Sequence, residues 1–182
     1  TKYSWRAVDS GLYKGNILFL PDNWGQKVIR EEYEKEIFKI IRSTVGPKKV
    51  FYDIGGYYGW FSIAWLASGG EFVESFEPSI ENGKIIEETI KKNKYIQNCN
   101  LHNFALGDKS MQSKLYLYPG DSSRNFVREE IQNQGKDESQ LSDDIQIEMI
   151  DDIYDKLSLR KPDLIKIDVD GSEARLLEGA IQ

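Results

Sequence analysis

The sequence predicts an α/β protein, a doubly wound and mostly parallel sheet that carries one antiparallel insertion. Three observations predict it. Four strand-like runs, KKVFYDI, EFVESFEP, NLHNFAL and PDLIKIDVDG, stand apart from helical runs, and that rhythm needs crossover connections between parallel strands. Each of the four ends on glycines, carboxylates or amides instead of further apolar residues. Around residues 110–150 the rhythm gives way to alternating polar and apolar positions, the pattern of half-buried antiparallel strands.

The elements follow in order. Residues 1–29 mix aromatics with turn residues (Trp5, Gly11, Tyr13, Gly15, Pro21, Trp24, Gly25) and read as a strand-and-turn extension ahead of a domain spanning 30–182. Residues 30–43, REEYEKEIFKIIRS, read as a helix with Tyr33, Ile37, Ile40 and Ile41 on one face and Glu31–Lys35 as an i,i+4 pair. Residues 58–68, YGWFSIAWLAS, are apolar all round, as a helix covered on most sides would be. Residues 79–94 give a helix whose inner face is Ile80, Gly83, Ile86 and Ile90. KLYLY (114–118) and IQIEM (145–149) are the insertion's strands, and the polar tract NQGKDESQ between them reads as a long mobile loop. SEARLLEGAIQ is a closing helix. There is no internal repeat and no sign of a second core.

At 182 residues, with 40% hydrophobic and 30% charged residues, the composition is that of an ordinary globular domain. The longest nearly apolar stretch, Gly59 to Gly70, is far short of the roughly 20 residues a membrane span needs. The opening TKYSWRAVDS lacks a basic segment followed by an apolar one, so no secretory signal is expected. One cysteine, Cys99, excludes an internal disulfide and a thiolate cluster, reads as buried packing, and fits a cytoplasmic setting. One histidine, His102, cannot make a multi-histidine metal centre, and no metal is expected. The net charge of −6 is concentrated in residues 129–155, where ten acids face one base, Lys136; that −9 leaves the rest of the chain at +3. Such a balance carries no nucleic-acid footprint, and the acidic stretch reads as a solvated loop and helix face.

The chemistry gathers at the strand ends, where open parallel sheets bind their ligands. Asp53 precedes Gly55, Gly56 and Gly59; Glu77 precedes Pro78; Asn103 to Asp108 follow the third strand; Asp168 to Glu173 follow the fourth. Glu77 lies 22 residues after Gly55, where an acid commonly binds ribose hydroxyls, although a carboxylate at a helix N-terminus would look the same. A dinucleotide loop would need glycines where this sequence has Tyr57 and Trp60, and a Walker loop would need Gly-Lys-Ser/Thr, which is missing. What remains is a cofactor with a ribose and no phosphate, of which S-adenosylmethionine is the obvious example. Lys166 and Asp168, two apart on one strand, point to the same face, as a catalytic pair or as a structural ion pair.

These motifs resemble the FkbM-type methyltransferases, a family of S-adenosylmethionine-dependent O-methyltransferases. The family's Asp-x-Gly-Ala-Asn-x-Gly loop, Phe-Glu-Pro and Lys-x-Asp-x-Glu-Gly are matched by Asp53 to Gly59, by Phe76-Glu77-Pro78 and by Lys166 to Gly171. Asn93, Ala105 to Asp108, Ile150 to Asp152 and Leu177 to Ala180 also fall where the family has similar residues, so the likeness covers about residues 30–181. It departs at Gly56 (Ala in the family), Tyr57 (Asn) and Asp170 (Glu).

The resemblance implies a class I, Rossmann-like methyltransferase fold. It also implies further strands beyond Gln182, without which one sheet edge is exposed unless a second copy of the chain covers it. It implies a cofactor site of Asp53, Gly55, Gly56, Tyr57, Gly59, Glu77, Pro78 and Ala105, with Asp53 near the methionine amine and Glu77 at the ribose. Catalysis would fall to Lys166, Asp168, Asp170 and Glu173. The acceptor implied is a hydroxyl of a sugar, glycan or secondary metabolite, which the Ser122 to Asn125 loop could meet. The alternative is a catalytically silent domain that keeps the fold for binding or scaffolding.

Overall fold

The computed structural model describes residues 1–117, 126–128, 141–169 and 171–180. The chain opens with an antiparallel hairpin of β1 (Tyr3–Ala7) and β2 (Ile17–Pro21), in which Tyr3 lies opposite Pro21 and Ala7 opposite Ile17. A short helix follows, α1 (Gly25–Ile29), inside the stretch expected to hold only strands and turns.

The single helix expected over residues 30–43 is not formed. Residues 30–34 are a turn in which Glu31 and Glu34 have φ of 60° and 46°, left-handed values that no continuing right-handed helix accommodates. Helix α2 (Lys35–Thr44) starts only after it and buries Phe38 and Ile41, while Ile40 is 49% exposed. The Glu31–Lys35 pair gives way to a tertiary one: Arg42 donates to both Glu31 carboxylate oxygens, and Leu12 N donates to Oε1 at 3.3 Å.

The central sheet is built from β3 (Val50–Ile54), β4 (Phe72–Phe76), β5 (Cys99–His102) and β10 (Leu164–Ile167), all parallel, in the spatial order β10-β3-β4-β5. Strands β3 and β4 are buried at every position, which is why they are mostly apolar, with Asp53, Glu74 and Ser75 as buried polar exceptions. Their side chains alternate between two cores. On one face Phe51, Val73 and Cys99 pack with the hairpin, α2, α3 (Trp60–Ala67) and α4 (Ile80–Lys92). On the other, Val50, Tyr52, Ile54, Phe72 and Phe76 pack with α5 (Ile150–Ile153) and α6 (Glu173–Glu178) through Ile153 and Leu176. Helices on both faces make the sheet doubly wound, as expected. Because β3 lies between β4 and β10, the winding reverses between β3 and β10. That reversal opens a crevice at the carboxyl ends of the strands.

NLHNFAL is not one strand. It ends as β5 at His102, and Ala105–Leu106 forms β6 in a second sheet with β7 (Met111–Tyr116), β8 (Phe126–Arg128) and β9 (Ser142–Glu148), ordered β6-β9-β7-β8. The antiparallel β7–β9 pair is the expected insertion, with Lys114 opposite Asp144. Tyr118, the Ser122 to Asn125 loop and the NQGKDESQ tract lie outside the described residues. Helix α4 buries Gly83, Ile86 and Ile90 as expected, together with Asn82 and Thr89, but Ile80 is 52% exposed. Among the described residues no helix is long and apolar enough to cross a membrane.

Candidate functional site

The turn from β3 into α3 explains why this stretch gives up side chains. Gly55 has φ of 77°, and a Cβ there would lie 1.9 Å from the Asp168 carbonyl oxygen, so β3 and the end of β10 touch backbone to backbone. The Gly55 and Gly56 amides both donate to the Phe76 carbonyl, at 2.9 and 3.1 Å. A Cβ on Gly56 would come within 2.5 Å of Ser75 Oγ and 3.1 Å of Ile86 Cδ1, so an alanine at this position would require the Ser75 side chain to shift. Tyr57 has φ of 52°, unusual for a bulky residue, and its amide donates to Glu77 Oε2 at 2.8 Å.

Glu77 is 6% exposed. Besides Tyr57 N, it accepts from Ser79 N at 2.9 Å and from Asn82 Nδ2 at 3.3 Å, both on Oε1. Burial pushes its carboxyl up to about 7, against the downward pull of those hydrogen bonds. Ser79, the N-cap of α4, accepts from Asn82 N through Oγ, which sets how α4 starts and turns Asn82 toward Glu77.

Lys166 is the hub on the other side. Its Nζ donates to the Gly55 carbonyl at 2.8 Å and lies 3.2 Å from Asp53 Oδ1 and 3.6 Å from Asp168 Oδ2. Asp53 is fully buried and also accepts from Ser62 Oγ at 2.7 Å. Lys166 therefore neutralises a buried carboxylate while bracing the glycine loop, and Asp168, with its side chain 52% exposed, is left facing outward.

These groups border a cavity of about 490 Å³ at the switch point. Of the residues singled out from sequence, Gly55, Gly56, Tyr57, Glu77, Pro78, Ala105, Lys166 and Asp168 line it. Asp53 does not; it lies behind the wall, held by Ser62 and Lys166. Gly59, with φ of 77°, serves the turn into α3 and is not on the lining. Glu173 is not on it either. Its Oε1 accepts from Gly171 N at 3.3 Å, and backbone N–H groups hold its carboxyl below the ordinary value, so it satisfies the start of α6 while the Ser172 side chain makes no cap bond. Asp170 lies outside the described residues.

Phe104 to Asp108, from the segment expected at the third strand end, also line the cavity, whereas Tyr33, Glu34 and Asn82 are lining residues that the sequence did not single out. Glu34 occupies the N-cap position of α2 in the left-handed region, and its side chain makes no cap bond. Desolvation raises its carboxyl above the ordinary value, opposed by a hydrogen bond from Tyr33 and reinforced by the nearby Asp168. The Tyr33 ring packs edge-on against Trp60, 5.7 Å between centroids. No glycine or asparagine marks that turn in the sequence, so a helix was the natural reading. Among the described residues no three His, Cys, Asp or Glu side chains gather to hold a metal ion. His102 instead meets the buried Glu74 carboxylate at 2.8 Å.

Comparison with solved structures finds a methyltransferase FkbM from Methylobacillus flagellatus KT, at 17% identity and a TM-score of 0.49, covering 87% of this chain and 46% of that one. It also finds PRMT6 solved with SAH, at 20% identity and a TM-score of 0.37, covering 43% of this chain and 24% of that one. The chain thus spans less than half the length of either. No curated protein matches it. The glycine loop, the acid that ends β4 and the lysine strand that closes the cavity all lie within residues 53–182, the span matched by the family described as Methyltransferase FkbM domain, and the chain belongs to that family.

Proposed function

We propose that this chain forms the S-adenosylmethionine-binding part of an O-methyltransferase whose acceptor is a hydroxyl of a sugar, glycan or secondary metabolite. One observation carries the reading: the switch-point cavity places the Glu77 carboxylate and the Tyr57 loop on one side and the Lys166–Asp168 pair on the other. Its volume suits a small organic cofactor. A carboxylate offers about four acceptor sites, and three on Glu77 are taken, so Oε2 keeps one for a ribose hydroxyl. Phe104, Leu106 and Pro78 supply an apolar wall that suits a base.

S-adenosylmethionine, when bound, supplies an electrophilic methyl group on a sulfonium. The protein's own work is then positioning and proton removal. Lys166 fixes the loop and Asp168. Glu34, Asp108 and Asp168 line the cavity and are the carboxylates available to take the proton from an acceptor hydroxyl, Glu34 and Asp168 being the more exposed. The excess of carboxylates over cations there disfavours an anionic acceptor. The single buried Cys99 suits a cytoplasmic setting.

Calorimetry with S-adenosylhomocysteine and with NAD, followed by labelled methyl donor offered to glycan and metabolite extracts, tests the reading. It predicts binding of the homocysteine compound alone and label on hydroxyl acceptors. Preference for NAD, or label confined to nucleic acid or protein, would overturn it.

A further inference from the structure

We infer that the N-terminal hairpin is a working part of the cofactor cleft, acting through Tyr3 as the positioning residue for Tyr57. This inference rests on the cofactor reading above, but its first observable does not.

Tyr57 is the point where the loop needs outside support. Its left-handed φ of 52° is what aims its amide at Glu77 Oε2. Relaxation to negative φ would swing the neighbouring peptide and pull that donor off the carboxylate. The support comes from the ring. Tyr57 stacks on Tyr58 with centroids 3.9 Å apart, meets Trp60 edge-on at 5.3 Å, and shares a 2.9 Å hydrogen bond between its hydroxyl and that of Tyr3. Burial, and then that bond, pushes the Tyr57 hydroxyl upward.

The hairpin is anchored independently of this contact. Asn93 accepts from Ile17 N and donates to Ile17 O, both at 2.7 Å. Trp60 Nε1 donates to the Phe19 carbonyl at 2.8 Å, and the Tyr13 hydroxyl donates to the Trp60 carbonyl at 3.0 Å. Tyr3 is therefore presented on a fixed frame, stacked on Phe19 at 5.6 Å and edge-on to Tyr58 at 5.2 Å. The family match begins at residue 53, so the clamp comes from outside it. It also accounts for the aromatic at position 57, where the resemblance has asparagine: the shorter side chain would not span the distance to Tyr3.

The test is Tyr3→Phe in the full chain, which keeps the ring packing and removes only the hydroxyl. Amide hydrogen exchange by NMR on the free protein should show Tyr57 N–H exchanging at least tenfold faster, with β3 and β4 amides unchanged; a merely structural loss would speed those as well. S-adenosylhomocysteine affinity should fall about fivefold or more in Tyr3→Phe, and Tyr3→Phe should cause no further loss in a Tyr57→Phe background, where the shared bond is already gone. Tyr57 exchange and affinity within twofold of wild type in Tyr3→Phe would overturn the inference. If the wild type binds no S-adenosylhomocysteine the cofactor reading falls, and Tyr57 exchange still decides the clamp.

Discussion

Replacing Glu77 with glutamine gives a signal whose sign and size follow from the geometry. In the folded chain the carboxyl is pushed from its ordinary 4.5 to about 7, mainly by burial. A carboxyl whose folded value exceeds its unfolded value stabilises the fold below the unfolded value, and that contribution is lost as pH rises through the folded value. The window is therefore about pH 4.5 to 7, and the full swing is roughly 3 kcal/mol at about 1.4 kcal/mol per tenfold change. Glutamine does not titrate. It keeps one acceptor for Tyr57 N or Ser79 N and turns its NH2 toward the other, a baseline loss of about 1 kcal/mol. Urea unfolding of both proteins between pH 5 and pH 8, with equal m-values, measures the difference. Wild type should be the more stable at pH 5 and should lose that lead by pH 8, by up to roughly 3 kcal/mol relative to Glu77→Gln. In melting temperature that is about 2–4 °C per kcal/mol for a chain of this size. Parallel pH profiles, or a wild-type lead that grows with pH, would refute the argument that burial dominates at Glu77.

Three other substitutions probe the site. Gly55→Ala drives a Cβ to 1.9 Å from the Asp168 carbonyl at a φ of 77°, so it should cost about 3 kcal/mol or more, read as a melting-temperature drop or loss of soluble protein. Lys166→Met leaves Asp53 buried without its cation and should destabilise by about 3–5 kcal/mol in urea unfolding, whereas a loss under 1 kcal/mol would show the pair to be dispensable. Glu34→Gln should keep S-adenosylhomocysteine affinity within twofold while transfer to whichever extract the wild type labels falls by about 10²-fold or more, and undiminished transfer would remove Glu34 from the proton path.

The parts of the site that were legible in the sequence are those where local chemistry and tertiary need coincide. Strands β3 and β4 are buried on both faces, so their composition alone marks them, and Gly55 is dictated by a backbone contact that no other residue tolerates. Glu77 and Lys166 were visible as polar residues at the ends of apolar runs. What escaped was set by partners distant in sequence. Glu31 binds Arg42 and Leu12 N, which helps hold the turn at residues 30–34 and brings Glu34 to the cavity, though REEYEKEIF looks helical throughout. Ile80 faces outward because Ser79 and Asn82 are committed to Glu77. The chain leaves the central sheet after His102, where Asn103 Nδ2 donates to the Glu77 carbonyl at 3.2 Å, a bond that nothing in NLHNFAL announces. Asp53 looked like a ligand contact because it precedes the glycine loop. Only the positions of Ser62 and Lys166 show that its carboxylate is already engaged.

S-adenosylmethionine is proposed to occupy the switch-point cavity. The most direct test is an NMR titration of the labelled chain with S-adenosylhomocysteine. Saturable one-to-one binding is expected, with the largest amide shifts at Gly55, Gly56, Tyr57, Glu77, Ala105 and Asp168 and with slowed exchange at Tyr57 N–H. Saturating shifts confined to another surface, or a folded chain whose spectrum is unchanged by the ligand, would contradict it.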